Sequence, residues 1–142
     1  MIDPLWYPDS GASHHITNDP STFSSKSSYT GNEQITLGNG TGLPIHNSGS
    51  AFLSSSANSS FFLLRNLLHV PTITKNLLSV SQFVKDNNVF FEFYPNFCNV
   101  KRQGTLEILL QGKIKDGIYV FPPLKPAPAP QIHHSTAVLF QL

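Results

Sequence analysis

Apolar residues in this chain come in short bursts, often at every second position, and turn-forming residues break them at near-regular intervals. That pattern reads as strands rather than helices. Leu5 to Tyr7 predicts a short strand ending at Pro8, and Asp9 to Ser13 is made of residues that tolerate tight turns. Ile16 to Gly31, rich in Ser, Thr and Asn, reads as an exposed excursion pinned by Phe23 and Tyr29. Gln34 to Leu37 and Leu43 to His46 alternate on either side of Gly38-Asn39-Gly40-Thr41-Gly42, the strongest hairpin signal present.

Ser48 to Leu53 predicts a further strand and Ser54 to Ser60 a polar turn. Phe61 to Val70, interrupted at Arg65 and Asn66 and stopped by Pro71, suits a strand buried on both faces. Thr72 to Leu78 is another strand candidate. Helical spacing is convincing in one place, Ser79 to Asn87: Ser79 can cap the start, and Val80, Phe83 and Val84 share a face. Val89 to Tyr94, Cys98 to Arg102, Leu106 to Gln111 and Gly117 to Phe121 then predict an all-β meander. From Pro122 the Pro-rich composition predicts a disordered linker and tail over 122–142.

Composition narrows the function. Charged residues make up 12% of the 142 and the net charge is +1, so no basic field for nucleic acid exists. Cys98 is the single cysteine, which excludes an internal disulfide and a CxxC zinc knuckle and fits a reducing compartment. It reads as a small strand residue. The first residues lack a signal-peptide pattern, and no apolar run is long enough to span a membrane. Trp6 and Tyr7, core-type residues near the start, suggest a domain cut from a longer polyprotein or a short gene model.

Asp9-Ser10-Gly11 is the tripeptide form used by aspartic peptidases. The carboxylate supplies acid–base chemistry, the hydroxyl can brace the turn, and the glycine lets another chain approach closely. Alone, such a tripeptide is most often a surface turn. Aspartic peptidases also need two carboxylates sharing a proton, and Asp3, Asp19, Asp86 and Asp116 lack the turn context. Catalysis would therefore require Asp9 from two chains meeting on a two-fold axis. His14 and His15 are adjacent and point to opposite faces of a strand, and with His46 and His69 no ligand spacing emerges, so neither metal nor cofactor is expected. Phe90, Phe91, Phe93, Tyr94 and Phe97 read as core and interface packing.

The segments WYPDSGASHHIT, ITLGNGTGLPI, LLRNLLHVPTITKNLLSVSQF and DGIYVF, in that order, resemble the copia-type (Pseudoviridae) retrotransposon Gag-Pol polyprotein. The likeness spans residues 5–121 and falls on its retropepsin-like protease and the start of its GAG-pre-integrase segment. It implies an all-β, retropepsin-like closed barrel with one short helix, followed by β hairpins. The implied divisions are a protease barrel over 1–94, pre-integrase hairpins over 95–121 and the tail over 122–142.

By the same resemblance Asp9 is the catalytic aspartate, and Ser10, Gly11 and Ala12 complete its loop. Gly38, Asn39, Gly40, Thr41 and Gly42 form a substrate-binding flap tip, and Asn76 to Ser79 lies behind the active-site loop. The implied activity is cleavage of Gag-Pol peptide bonds by a homodimer, in the cytoplasm or a virus-like particle. The chain departs from the retroviral pattern in lacking a glycine within ITKNLLS. A different class stays open on the residues: a catalytically inactive barrel from a decayed element, serving as an interaction module. A dimer test separates the two.

Overall fold

The computed structural model describes residues 3–55 and 60–128. Thirteen strands and one α-helix follow in the order β1 (Trp6–Asp9), β2 (His15–Thr17), β3 (Ser25–Ser28), β4 (Gln34–Thr36), β5 (Gly42–Pro44), β6 (Asn47–Ser54), β7 (Phe61–His69), β8 (Asn76–Ser79), α1 (Val80–Asn87), β9 (Val89–Phe93), β10 (Phe97–Arg102), β11 (Ile108–Lys115), β12 (Ile118–Val120) and β13 (Lys125–Pro126). The protein is mostly β, as its alternation predicts. Its largest sheet runs β1-β8-β2-β7-β6-β13, with β3 also on β6, as a half-barrel. A four-stranded sheet, β12-β11-β10-β9, and the separate hairpin β4–β5 complete the architecture.

Strand β8 lies between β1 and β2. It pairs in parallel with β1, from Trp6↔Asn76 to Asp9↔Ser79, and antiparallel with β2 at Ile16↔Leu77. Residues far downstream are thereby inserted between two segments only a turn apart, and the Asp9 turn must arch over the end of β8. Along β7 the polar pair Arg65-Asn66 stands opposite the single residue Ser50 of β6, and Asn66 adopts φ 56°. The interruption of the apolar run is thus a bulge that turns both polar side chains outward.

Trp6, Leu53, Phe62, Leu64, Leu67, Leu78 and Phe83 form the main core with Cys98, Val100 and Leu110 from the second sheet and Phe121 just after β12. The two sheets therefore share one interior, which crosses the 94/95 boundary expected between protease and pre-integrase segments. Each fully buried Leu or Phe contributes roughly 1.5–3 kcal/mol to that interior. A smaller apolar cluster of Ile16, Leu68, Val70 and Ile73 packs against Ile35, Leu37, Leu43 and Ile45, which seats hairpin β4–β5 on the half-barrel.

Several local expectations need correction. The first strand continues through Pro8 to Asp9, because the edge position of β1 leaves the missing proline N–H without a penalty. Within the Ile16 to Gly31 stretch, β2 is an inner strand with His15, Ile16 and Thr17 buried, and β3 is an exposed strand on β6. The strand expected at Thr72 begins only at Asn76, and the one expected at Leu106 begins at Ile108, since Leu106 takes φ 62° in a turn.

The expected disordered stretch starts too early. Leu124 is buried, Lys125 and Pro126 pair with Ser54 and Leu53, and Ala127 N–H donates to the Phe52 carbonyl. Proline tolerates this place because it is a sheet edge. The remainder of that expectation, from 129 onward, lies outside the described residues, as do 56–59 of the expected polar turn. The helix matches its expectation: Ser79 is its N-cap and Asn88, in the left-handed region at φ 52°, ends it.

Candidate functional site

Asp9 is the last residue of β1 and half-buried, and the chain reverses directly after it. Gly11 N–H donates to Asp9 Oδ1 at 2.8 Å, and Ala12 N–H donates to the Asp9 carbonyl at 3.4 Å. One oxygen of the carboxylate thus fixes the turn. Ser10 and Gly11 are exposed at its apex. The segment Asp9 to Ala12 is a tight turn, as its small residues predict.

Above it stands the hairpin β4–β5. Gly40 takes φ 86°, in the region that favours glycine, and the tip is closed by Leu37 N–H to Thr41 O at 2.8 Å, Gly40 N–H to Leu37 O at 2.9 Å and Thr41 N–H to Asn39 Oδ1 at 3.0 Å. An open groove of about 350 Å³ separates turn and hairpin. Asp9, Gly11, Ala12, Ser13 and His14 line one side, Gln34, Ile35, Thr36, Leu37 and Gly38 the other, and Ile16 and Leu77 the floor. Among the described residues Asp9 is the one carboxylate of that lining. Of the five glycine-rich tip residues Gly38 faces the groove, while Asn39, Gly40, Thr41 and Gly42 build the turn that carries it.

Behind the turn lies a polar network whose members are far apart in the sequence. Ser79 Oγ donates to the Ala12 carbonyl at 2.6 Å and accepts Gln82 N–H at 3.2 Å, while Ser79 N–H donates to His15 Nδ1 at 2.9 Å. Burial drives the His15 ring down to about 4 from its ordinary 6.5, against a raising influence of Asp86. His14, by contrast, is exposed, with its Nδ1 2.9 Å from Ser13 Oγ. His14 precedes β2 and is exposed, while His15, its first residue, is buried. The available signal was the pairing of a histidine with the strand that follows the turn; its partner, 64 residues away, carried none.

A second set of bonds anchors the strands themselves. Thr17 Oγ1 donates to Asn76 Oδ1 at 2.8 Å, and Asn76 Nδ2 donates to the Leu5 carbonyl at 3.2 Å and the Asp3 carbonyl at 3.4 Å. Asn76 thereby links β1, β8 and β2. Tyr7 OH donates to Asp3 Oδ2, which lowers the Asp3 carboxyl and pushes the phenol up to about 12. Asp3 is occupied in tethering β1 and lies away from the groove lining.

These features define a class: a mostly β half-barrel domain that presents an aspartate turn to a groove roofed by a glycine-tipped hairpin. Residues 6–89 match the family described as the Pol polyprotein, beta-barrel domain, and the chain belongs to that family. It is similar to the retrovirus-related Pol polyproteins from transposons RE2 and RE1 of Arabidopsis thaliana, at 43% and 42% identity over 117 residues. Each comparison covers 82% of this chain but only 8% of the relative, so the chain spans a small part of those polyproteins. No solved structure matches it.

Proposed function

We propose that this domain is the aspartic endopeptidase of a copia-type retrotransposon and cuts peptide bonds of its own Gag-Pol polyprotein. The observation that carries the reading is the Asp9 carboxylate, held by Gly11 N–H at the end of β1 and lining a groove under hairpin β4–β5. Its similarity to retrovirus-related Pol polyproteins adds support. In this reading the half-barrel is one retropepsin-like protomer. Two copies bring their Asp9 turns together on a two-fold axis, because one carboxylate cannot act as acid and base at once.

Two carboxylates at short range share one proton. The charged Asp9 takes a proton from water as the water oxygen attacks the scissile carbonyl carbon. The protonated Asp9 of the other copy donates to the carbonyl oxygen, and the amine leaves after protonation as the tetrahedral intermediate collapses. Substrate lies extended beneath Gly38 to Gly42 and is gripped mainly through its main chain. Ile16, Ile35, Leu37 and Leu77 supply the apolar part of the groove lining beside Asp9.

The test is incubation with peptides drawn from the polyprotein at mildly acidic pH, with and without an aspartic-peptidase inhibitor. Asp9→Asn should abolish cleavage and leave the fold intact, since the amide oxygen still accepts Gly11 N–H. Cleavage retained by that variant would overturn the reading. A chain that sediments only as a monomer at high concentration would also overturn it and favour an interaction module.

A further inference from the structure

His15 is fully buried, yet among the described residues its Nε2 has no hydrogen-bond partner. Its Nδ1 accepts the Ser79 N–H at 2.9 Å, so Nδ1 carries no proton and the ring proton sits on Nε2. The ring meets Phe83 edge-on at 6.4 Å between centroids. An unpaired buried donor is unfavourable, and a side chain that merely filled this space would avoid it. What the imidazole does supply is an acceptor at one place, directed at Ser79.

From Ser79 the connection runs straight to the aspartate turn. Its Oγ donates to the Ala12 carbonyl, Ala12 N–H donates to the Asp9 carbonyl, and Gly11 N–H donates to the Asp9 carboxylate. Asp9 and Ser79 are also register partners in the β1–β8 pairing. We infer that His15 is a positioning residue for Asp9: its unprotonated Nδ1 holds Ser79 and with it the Asp9 turn, and protonation of that nitrogen releases the turn. The effect on turnover rests on the peptidase reading; the effect on the turn stands on the geometry alone.

The chemistry of the release is a single proton taken from water onto the Nδ1 lone pair. The new N–H then opposes the Ser79 N–H, two donors face to face, and the bond is lost. Of the groups around the ring, Asp86 on α1 favours the cation and His14 on the preceding residue opposes it. The paired strands contribute Leu67 from β7 and Ser79 from β8, neither of which titrates. Burial dominates, so the clamp stays closed at mildly acidic pH and opens only in stronger acid.

Two substitutions separate positioning from filling. His15→Asn keeps an oxygen acceptor near the Nδ1 position and does not titrate; His15→Leu fills the space without an acceptor. The first readout is the pH dependence of the Gly11, Ala12 and Ser79 amide NMR signals in the full chain carrying Asp9→Asn, which leaves no carboxylate in the turn. These signals should move together with a midpoint near 4, and adding His15→Asn should abolish the movement. The second readout is peptide cleavage. His15→Leu should lower kcat about tenfold or more with KM changed less than about twofold, as misplacement of a reacting group does. His15→Asn should restore kcat to within about threefold and carry the acid limb of the pH profile lower.

Amide signals that ignore the His15 titration would overturn the inference, whether or not either variant folds. A folded His15→Leu chain with wild-type kcat would do so too. If no chain cleaves any peptide, the peptidase reading falls, and the amide titration still decides whether His15 holds the turn.

Discussion

Ser79 Oγ stands 2.6 Å from the Ala12 carbonyl oxygen and donates to it, so the residue that caps α1 also ties down the aspartate turn. Loss of the hydroxyl removes both services. A capping serine contributes about 1 kcal/mol, and a partly buried carbonyl left unpaired costs about as much again. Ser79→Ala should therefore destabilise the protein by about 2 kcal/mol, read as a lowered urea midpoint at unchanged slope. Ser81→Ala, on the exposed side of the same helix turn, should stay within about 0.5 kcal/mol of wild type.

Asn76 is the harder residue to replace. Its amide donates to the carbonyls of Leu5 and Asp3 while its oxygen accepts from Thr17, so it needs a donor on one side and an acceptor on the other. Aspartate has the shape but no donor, and it would bring a charge into a buried site against two carbonyl oxygens. Asn76→Asp should cost about 3–5 kcal/mol at neutral pH. Thr17→Val, which keeps the volume and strands the Asn76 oxygen, should cost about 1–3 kcal/mol. Equilibrium denaturation monitored by Trp6 fluorescence measures both.

The contrast between Asn76 and the hairpin tip explains what could be read in advance. Gly38 to Gly42, the turn at Asp9 and the Ser79 cap depend on the chemistry of neighbouring residues, so sequence alone displays them. The insertion of β8 between β1 and β2 depends on partners 59 to 64 residues apart, such as Thr17 with Asn76 and His15 with Ser79. Buried polar side chains mislead a pattern of apolar and polar positions. Thr17 and the Ser-, Thr- and Asn-rich residues after it make Ile16 to Gly31 look like an exposed excursion, although β2 is an inner strand. The same holds for Leu124 to Ala127, where proline-rich composition concealed an edge pairing. The groove could be anticipated as two separate turns, but their approach depends on Ile35 and Leu37 packing beside Ile16 and Leu77.

Stability should fall as acid is added, over a window that His15 sets. Its folded value near 4 lies below the unfolded 6.5, so between these the unfolded chain binds more protons and stability rises with pH. Going from pH 7 to below 4 should cost on the order of 3 kcal/mol from this ring. His69, also lowered by burial, acts with the same sign. Asp3, whose carboxyl is lowered by its bond from Tyr7, loses its contribution only as pH falls through the carboxylate range. The difference between wild type and His15→Asn, measured by denaturation at pH 7 and pH 4, isolates the His15 share. An identical pH slope in the two chains would contradict it.

Gly112 offers a test of how the two sheets meet. A Cβ at this position would come within 2.6 Å of Cys98 Sγ, 2.9 Å of the Val120 carbonyl oxygen and 3.1 Å of Phe121 Cε1. The backbone oxygen and the core aromatic cannot both move aside, since Phe121 N–H is bonded to the Trp6 carbonyl and joins the second sheet to β1. Gly112→Ala should destabilise the protein by about 1–3 kcal/mol. Cys98 reports the same event independently. Its buried thiol is pushed up to about 11, so it should resist a thiol reagent in the native protein and react freely once urea unfolds it. Gly112→Ala should accelerate native-state labelling by loosening the packing over the sulfur. Adding Cys98→Ala should recover part of the lost stability, giving a double mutant milder than the sum of its single changes.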